Sequence, residues 1–225
     1  MEKNEKRDFL IELRESTGLN RKEFAIEYNI PYPTITDWER GNRRIPEYLL
    51  RLLEYKIGPG QKDCCFTRGK NWFRYRAAGL IVEDHHILFV TSKSLDYYYT
   101  VGGGVHMGEA SKECVEREVF EETGVHYEVD HLAVVLENFF TGSYSLTGYD
   151  CHCLEFYYLM KPRGSMELHG KSINADNEEE ILTWIPIDEI QKYNVKPSFL
   201  KDRINEILNG KDTIHVVTDD DLVRK

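Results

Sequence analysis

This chain of 225 residues contains no apolar run approaching the roughly 20 residues that span a bilayer, so a transmembrane protein is not expected. It is also poor in disulfide patterns. Its five cysteines are odd in number and include no CxxC pair, which fits a reducing cytosol better than a disulfide framework. Internal repeats and low-complexity segments are absent. The opening residues, MEKNEKRDF, are strongly charged and lack the apolar stretch of a secretory signal. Positive charge is in deficit, with a net charge of −10. That balance disfavours broad nucleic-acid binding, although a cation-binding cleft would look the same. With 41% hydrophobic and 12% aromatic residues, a globular, cytoplasmic protein is expected.

The charge deficit is uneven. Residues 1–60 hold 11 basic and 11 acidic residues, whereas the remainder holds 18 and 28. This predicts two modules joined near IGPGQKDCCFTRGK, with a helical module over 1–57, a linker over 58–70, a mixed module over 71–210 and a tail over 211–225. The helical module should contain four helices. Phe9, Leu10 and Leu13 mark the first, closed by Gly18, and Asn20 with Glu23 forms a capping box for the second. After the connection NIPYP, TITDWERG gives a third helix ending at Gly41, and Pro46 starts a fourth that buries Leu49, Leu50, Leu52, Leu53 and Ile57.

The mixed module should open with a hairpin, AAGLIV and ILFV around EDHH, with His85 and His86 solvated in the turn. HLAVVL, LEFYYLM and ILTWI read as further strands. Helices should run from Ser111 to Thr123, stopped by Gly124, and onward from Ser198 with Leu200, Ile204, Ile207 and Leu208 buried. The fold class is therefore α+β, a sheet packed between helical layers.

Chemistry concentrates in GGGVHMGEASKECVEREVFEETGV. Glu118 lies at helical neighbour spacing from both Glu121 and Glu122, so three carboxylates converge on one patch despite their mutual repulsion. Arg117 stands beside them, and Glu113, one turn back, can hold it in place. Gly102, Gly103 and Gly104 allow a backbone to pass close by. Hard oxygen ligands of this kind select Mg2+ or Mn2+, and a cation so bound would bridge phosphate oxygens. Crowding also raises the pKa of one carboxylate, which suits a base working near neutral pH.

The stretch resembles the signature of the Nudix hydrolases, Gx5Ex7REUxEExGU, at every fixed position: Gly103, Glu109, Arg117, Glu118, Val119, Glu121, Glu122, Gly124 and Val125. A solvated acidic helix face would explain neither the glycines nor the fixed arginine. The resemblance covers roughly residues 70–210. It implies an α/β/α sandwich that hydrolyses a nucleoside diphosphate linked to another group. It further implies that Glu118, Glu121, Glu122 and the Gly103 carbonyl bind Mg2+, with Mn2+ as an alternative, and that Arg117 orients the carboxylates. Glu121 is assigned as base, with Glu137, Glu178, Glu179 and Glu180 retained because the base in this family sometimes lies outside the signature. Val101 replaces the proline that many relatives carry before the paired glycines, which alters loop rigidity and removes no ligand.

Two further features are weighed against blander readings. Cys151, His152 and Cys153 have no second ligand pair at zinc spacing, so packing on one strand face is favoured. Tyr97, Tyr98 and Tyr99 suit a base-stacking surface and an edge strand equally.

In the helical module, TGLNRKEFAIEYNIPYPTITDWERGNRRIP resembles the helix-turn-helix of phage repressors and Cro, with Ala25 at the helix crossing, Asn29 in the turn, and apolar Ile30 and Ile35. That resemblance implies a two-fold dimer on double-stranded DNA. Tyr32, Pro33, Thr36 and Asp37 would face the bases, with Arg21, Lys22, Arg43 and Arg44 near phosphates. Proline and aspartate are unusual readers, and net neutrality is poor for a DNA binder. Dimerisation or partner docking therefore stays open, although the basic residues at 40–44 favour DNA. Two functions remain: a Mg2+-dependent pyrophosphohydrolase with an accessory helical module, or a transcription regulator whose second module senses a nucleotide. The complete carboxylate set favours the enzyme.

Overall fold

The computed structural model describes residues 3–57, 63–170, 172–173 and 178–220. It divides the chain into two compact units, residues 1–62 and 63–225. The glycine–proline break at 58–60 and the last five residues of the expected tail lie outside the described residues. Among the described residues no helix is long and apolar enough to cross a membrane.

Unit 1 contains α1 (Lys3–Ser16), α2 (Arg21–Glu27), α3 (Tyr32–Glu39) and α4 (Glu47–Ile57), packed around Leu10, Phe24, Ile35, Trp38 and Leu50. The capping box forms as read: the Asn20 side chain accepts from the Glu23 N–H, and the Asn20 N–H donates to Glu23 at 2.9 Å. Two expectations shift. Helix α3 begins two residues earlier than read, because Pro31 and Pro33 fall at its cap and first turn, where a missing N–H costs nothing. Leu52 is 58% exposed rather than buried. The inward stripe of α4 is set by Leu49, Leu50, Leu53 and Ile57, and Leu52 falls on the opposite face.

Unit 2 is built on a mixed sheet of β1 (Cys65–Arg68), β2 (Asn71–Leu80), β5 (Gly102–Gly104), β6 (Val129–Thr141), β7 (Asp150–Met160) and β9 (Ile214–Asp220). Its order is β1-β2-β7-β6-β9, with β5 also on β2. A smaller sheet joins β3 (Val82–Glu83), β4 (His86–Thr91) and β8 (Ile181–Pro186). The expected hairpin forms in part. Asp84 and His85 make its turn at positive φ, but its first arm is only Val82–Glu83, because Ala77–Leu80 continue β2 in the main sheet. His86 is partly buried in β4 instead of solvated in the turn. One face of the main sheet packs Ala77, Tyr158 and Met160 against Cys114, Val115 and Val119 of α5 (Ser111–Thr123). The other packs Ala78, Leu136 and Tyr157 against Leu200, Ile204 and Ile207 of α6 (Phe199–Asn209). This is a helix–sheet–helix arrangement.

The outer limits of this unit differ from the reading. Strand β1 lies inside the expected linker, and β9 lies inside the expected tail, pairing in parallel with β6 from Val134 to Phe140. Both are short edge strands of mixed polarity, so neither carries the apolar periodicity that marks the central strands.

Candidate active site

Strand β5 and helix α5 form one structural piece. The Gly102 φ of 139° is open only to glycine, and a side chain there would strike the backbone of Ala77 and Ala78. At Gly103 a Cβ would collide with the carboxylate of Glu118. These glycines therefore let the acidic helix lie directly against a bare backbone.

The three glutamates of the patch have different surroundings. Glu121 is half exposed, Glu118 is largely covered, and Glu122 is buried. Arg117 links two of them, donating from Nη1 to Glu118 at 2.6 Å and to Glu121 at 3.2 Å. It is clamped by Glu109, which accepts from Nε at 2.8 Å and from Nη2 at 3.0 Å. The Arg117 guanidinium holds the Glu109 carboxyl down to about 2. Glu113, expected to hold Arg117, instead accepts from the Ala110 N–H at 3.0 Å and caps the helix. The correction is geometric: at the first turn, Glu113 is within reach of the unpaired amides that begin α5.

Glu122 is the unusual group. Burial, and then the charge of Glu180, push its carboxyl up to about 8. The Gly102 N–H donates to Oε1 at 2.9 Å, while Oε2 is buried with no partner. A buried carboxylate oxygen without a donor is costly. The largely covered Arg76 donates to the carbonyls of Thr100 at 2.6 Å and Gly102 at 3.0 Å, fixing the glycine strand. Glu155 accepts from Arg76, from Tyr157 OH at 2.7 Å and from Asn138 at 2.8 Å.

Among the described residues, no group of three or more His, Cys, Asp or Glu side chains is gathered on one point as metal ligands. Like charges separate, and each carboxylate turns to its nearest donor, Arg117 or Gly102. The donor set nevertheless fits a hard divalent cation. It offers carboxylate oxygens, one of them orphaned, beside a backbone of glycines that carries no side chains of its own.

These groups open into a cleft of about 770 Å³. Glu118, Glu121, Glu122 and Gly103 line it together, as does Glu180 from the 178–180 run. The other expected alternatives for the base do not face it. Glu137 binds His215 at 2.9 Å on the opposite side of β6, and Glu178 accepts from Ser92 and Ser94. Glu179 is exposed in a bridge with Ile173. Tyr97 and Tyr99 line the cleft, and Tyr98 packs into the core against Tyr193. Tyr98 and Tyr99 each form a single β-bridge, to Val195 and Val90, in place of a continuous edge strand. Cys151 and Cys153 are buried on one face of β7, and His152 points the other way, stacked on Phe139 with ring centroids 4.3 Å apart.

Sequence reading missed Arg74, Arg76, Trp72, Asn138, Phe140 and Glu155, all of which line the cleft. A signal did exist. In NWFRYRAAGL, Trp72, Arg74 and Arg76 alternate along a strand that runs into apolar sequence, so polar residues point to one face of the sheet.

In unit 1, Tyr32 is 49% exposed, and Pro33, Lys22, Arg43 and Arg44 are exposed. Thr36 donates to the Tyr32 carbonyl at 3.0 Å, and Asp37 accepts from Asn42 at 3.3 Å. Arg21 pairs with the buried Glu39, which also accepts from Arg14 at 2.6 Å. The structure thus commits Arg21 to a carboxylate.

A family model of the NUDIX domain matches residues 72–203. A MutT-like protein of Streptomyces ambofaciens is 28% identical over 116 residues, covering 51% of this chain; the chain thereby spans 65% of that relative's length. Among solved structures, the MutT protein from Bacillus halodurans is 19% identical, with a TM-score of 0.47, covering 63% of this chain and 89% of that one. A UDP-X diphosphatase is 16% identical, with a TM-score of 0.46, covering 94% of this chain and 98% of that one. Likenesses of this degree assign no substrate.

Proposed function

The chain belongs to the Nudix family, whose model matches more than half its length, and we propose that it is a divalent-cation-dependent hydrolase cleaving the pyrophosphate linkage of nucleoside diphosphate derivatives. The observation that carries this reading is the orphaned, buried Glu122 Oε2 at the floor of a cleft shared with Glu118, Glu121 and Gly103. These four positions would hold Mg2+ or Mn2+. When bound, the cation neutralises anhydride oxygens and makes a water nucleophilic.

The chain's own residues do the rest. Arg117, clamped by Glu109, orients Glu118 and Glu121. Glu121, the most exposed of the three, takes the proton of the attacking water. Glu122 must release its proton to act as a ligand, so cation binding and deprotonation at this carboxyl are coupled. Arg76 keeps the Gly102–Gly104 backbone facing the cleft. The test is a panel of nucleotide sugars, dinucleotides and nucleoside triphosphates with Mg2+ or Mn2+, followed by release of phosphorylated products. Turnover of no pyrophosphate compound would contradict the reading.

A second reading, a nucleotide-sensing regulator, is favoured by the exposure of Tyr32, Arg43 and Arg44 on unit 1. With Thr36 and Asp37 on the same helix, these residues would contact double-stranded DNA as a two-fold dimer. DNA affinity that changes with a bound nucleotide, without hydrolysis, would select this alternative.

A further inference from the structure

Helix α5 covers only one end of its face of the main sheet. It packs on Ala77, Tyr158 and Met160, whereas the other end carries a row of rings from four neighbouring strands. Phe66 of β1 pairs with Phe73 of β2, Phe73 with His152 of β7, and His152 with Phe139 of β6. The rings touch in turn. Phe66 stacks on Phe73 at 5.1 Å, Phe73 stands edge-on to His152 at 5.4 Å, and His152 stacks on Phe139 at 4.3 Å. One row nearer the helix lie Leu154 and Val217, both paired with Glu137.

Phe66, Phe73, Leu154, Phe139 and Val217 join none of the three hydrophobic cores formed by the described residues. Phe66 is 57% exposed and Val217 48%. Paired residues share a face and alternate residues return to it, so these side chains form one largely apolar surface. It extends about 19 Å across the five strands and about 14 Å along them. An exposed apolar patch of this size is often a contact site. Its rim is charged unevenly. Arg68, two residues beyond Phe66, makes the β1 edge basic, while Asp150, two residues before His152, and Asp219, paired with Phe139, make the other side acidic. All three are exposed.

We propose that this aromatic face is a two-fold interface between two copies of the chain, with Arg68 of each copy against Asp150 of the other. A second copy fits because the face complements itself. A two-fold axis running along the strands, between β2 and β7, superposes opposite edges of the two sheets. It sets Phe66 and Phe73 over the partner's Phe139 and His152, and the basic edge over the acidic side. The contact is at the low end of interface sizes, so the dimer should form in the micromolar range and depend on concentration. None of these residues lines the cleft, which opens on the opposite face, so the interface stands whether or not the cleft hydrolyses pyrophosphates.

The test is sedimentation equilibrium of the full chain, free of DNA, across the micromolar range. A monomer–dimer equilibrium is expected. Phe66→Ser and Arg68→Asp should each raise its Kd roughly tenfold or more, with far-UV circular dichroism unchanged because both side chains are exposed. Asp150→Arg should weaken the dimer similarly. Arg68→Asp combined with Asp150→Arg restores opposite charges across the axis and should return the Kd to within severalfold of wild type. A wild type that stays monomeric, a dimer unmoved by Phe66→Ser, or a charge-swapped variant no tighter than either single variant would each overturn the proposal.

Discussion

The Gly102 N–H donates to one oxygen of Glu122 at 2.9 Å, and the other oxygen, buried alongside, has no partner. One end of the carboxylate is thus fixed by a backbone that only glycine can form. The other end is presented to whatever enters the cleft.

This arrangement has a pH signature. The Glu122 carboxyl is raised in the folded protein to about 8 from an ordinary 4.5. As pH rises from about 4.5, the unfolded chain releases this proton while the folded chain retains it, so stability falls until about pH 8 and then levels. Glu122→Gln removes the effect. In metal-free buffer the variant should be the more stable at pH 8, by up to a few kcal/mol at about 1.4 kcal/mol per pKa unit, with no advantage near pH 4.5. Denaturant unfolding at several pH values measures this. A pH-independent difference would show that Glu122 is not held protonated.

Arg117 should lose its orientation when Glu109 is changed and keep it when Glu113 is changed. Glu109→Gln breaks the clamp at Nε and Nη2 and should lower kcat by about 10- to 100-fold, the range for residues that orient metal-binding groups. Glu113→Gln alters only a helix cap and should leave turnover near wild type. Equal losses in the two variants would return Glu113 to the role that spacing alone suggests.

Why spacing misassigned that glutamate shows how far the sequence carries. Periodicity located α5 to the residue, because Ser111–Thr123 ends at a glycine in the left-handed conformation. It also found the central strands, whose apolar runs are continuous. It could not rank Glu109 against Glu113 as the partner of Arg117, because that depends on how the loop after β5 folds back. The cleft floor was similarly hidden. Trp72, Arg74, Asn138 and Phe140 come from strands far apart in sequence and meet only through the order β2-β7-β6. Strand β9 gave no clear signal because seven residues ending in acids look like a solvated tail.

The position of Asp63 and β1 sets a limit on truncation. Limited proteolysis should cut first among residues 58–62, where glycine and proline interrupt the helical pattern. A fragment beginning at Asp63 should keep hydrolase activity. A fragment beginning at Lys70 loses β1 and the Asp63 side chain beside Gly104, and should be less stable and less active. Comparable activity from both fragments would place β1 outside the working unit.

The helical unit is tested by salt. If residues 1–57 bind DNA, a random-sequence duplex pool should yield a selected site, and affinity should fall with a log–log salt slope of roughly −4 to −8 for about four phosphate contacts per subunit of a dimer. Arg43→Ala with Arg44→Ala should weaken all sequences alike, whereas Tyr32→Ala should change which sequence is preferred. The absence of both a selected site and a salt slope at low ionic strength would leave protein docking as the role of this unit.

The most direct measurement is steady-state hydrolysis of the pyrophosphate panel across a Mg2+ titration, comparing the wild type with Glu118→Gln and Glu122→Gln. The account predicts cation-dependent release of phosphorylated products by the wild type and its loss in both variants, each still folded by circular dichroism. Near wild-type turnover by either variant at saturating Mg2+ would contradict the assignment of these carboxylates to the cation.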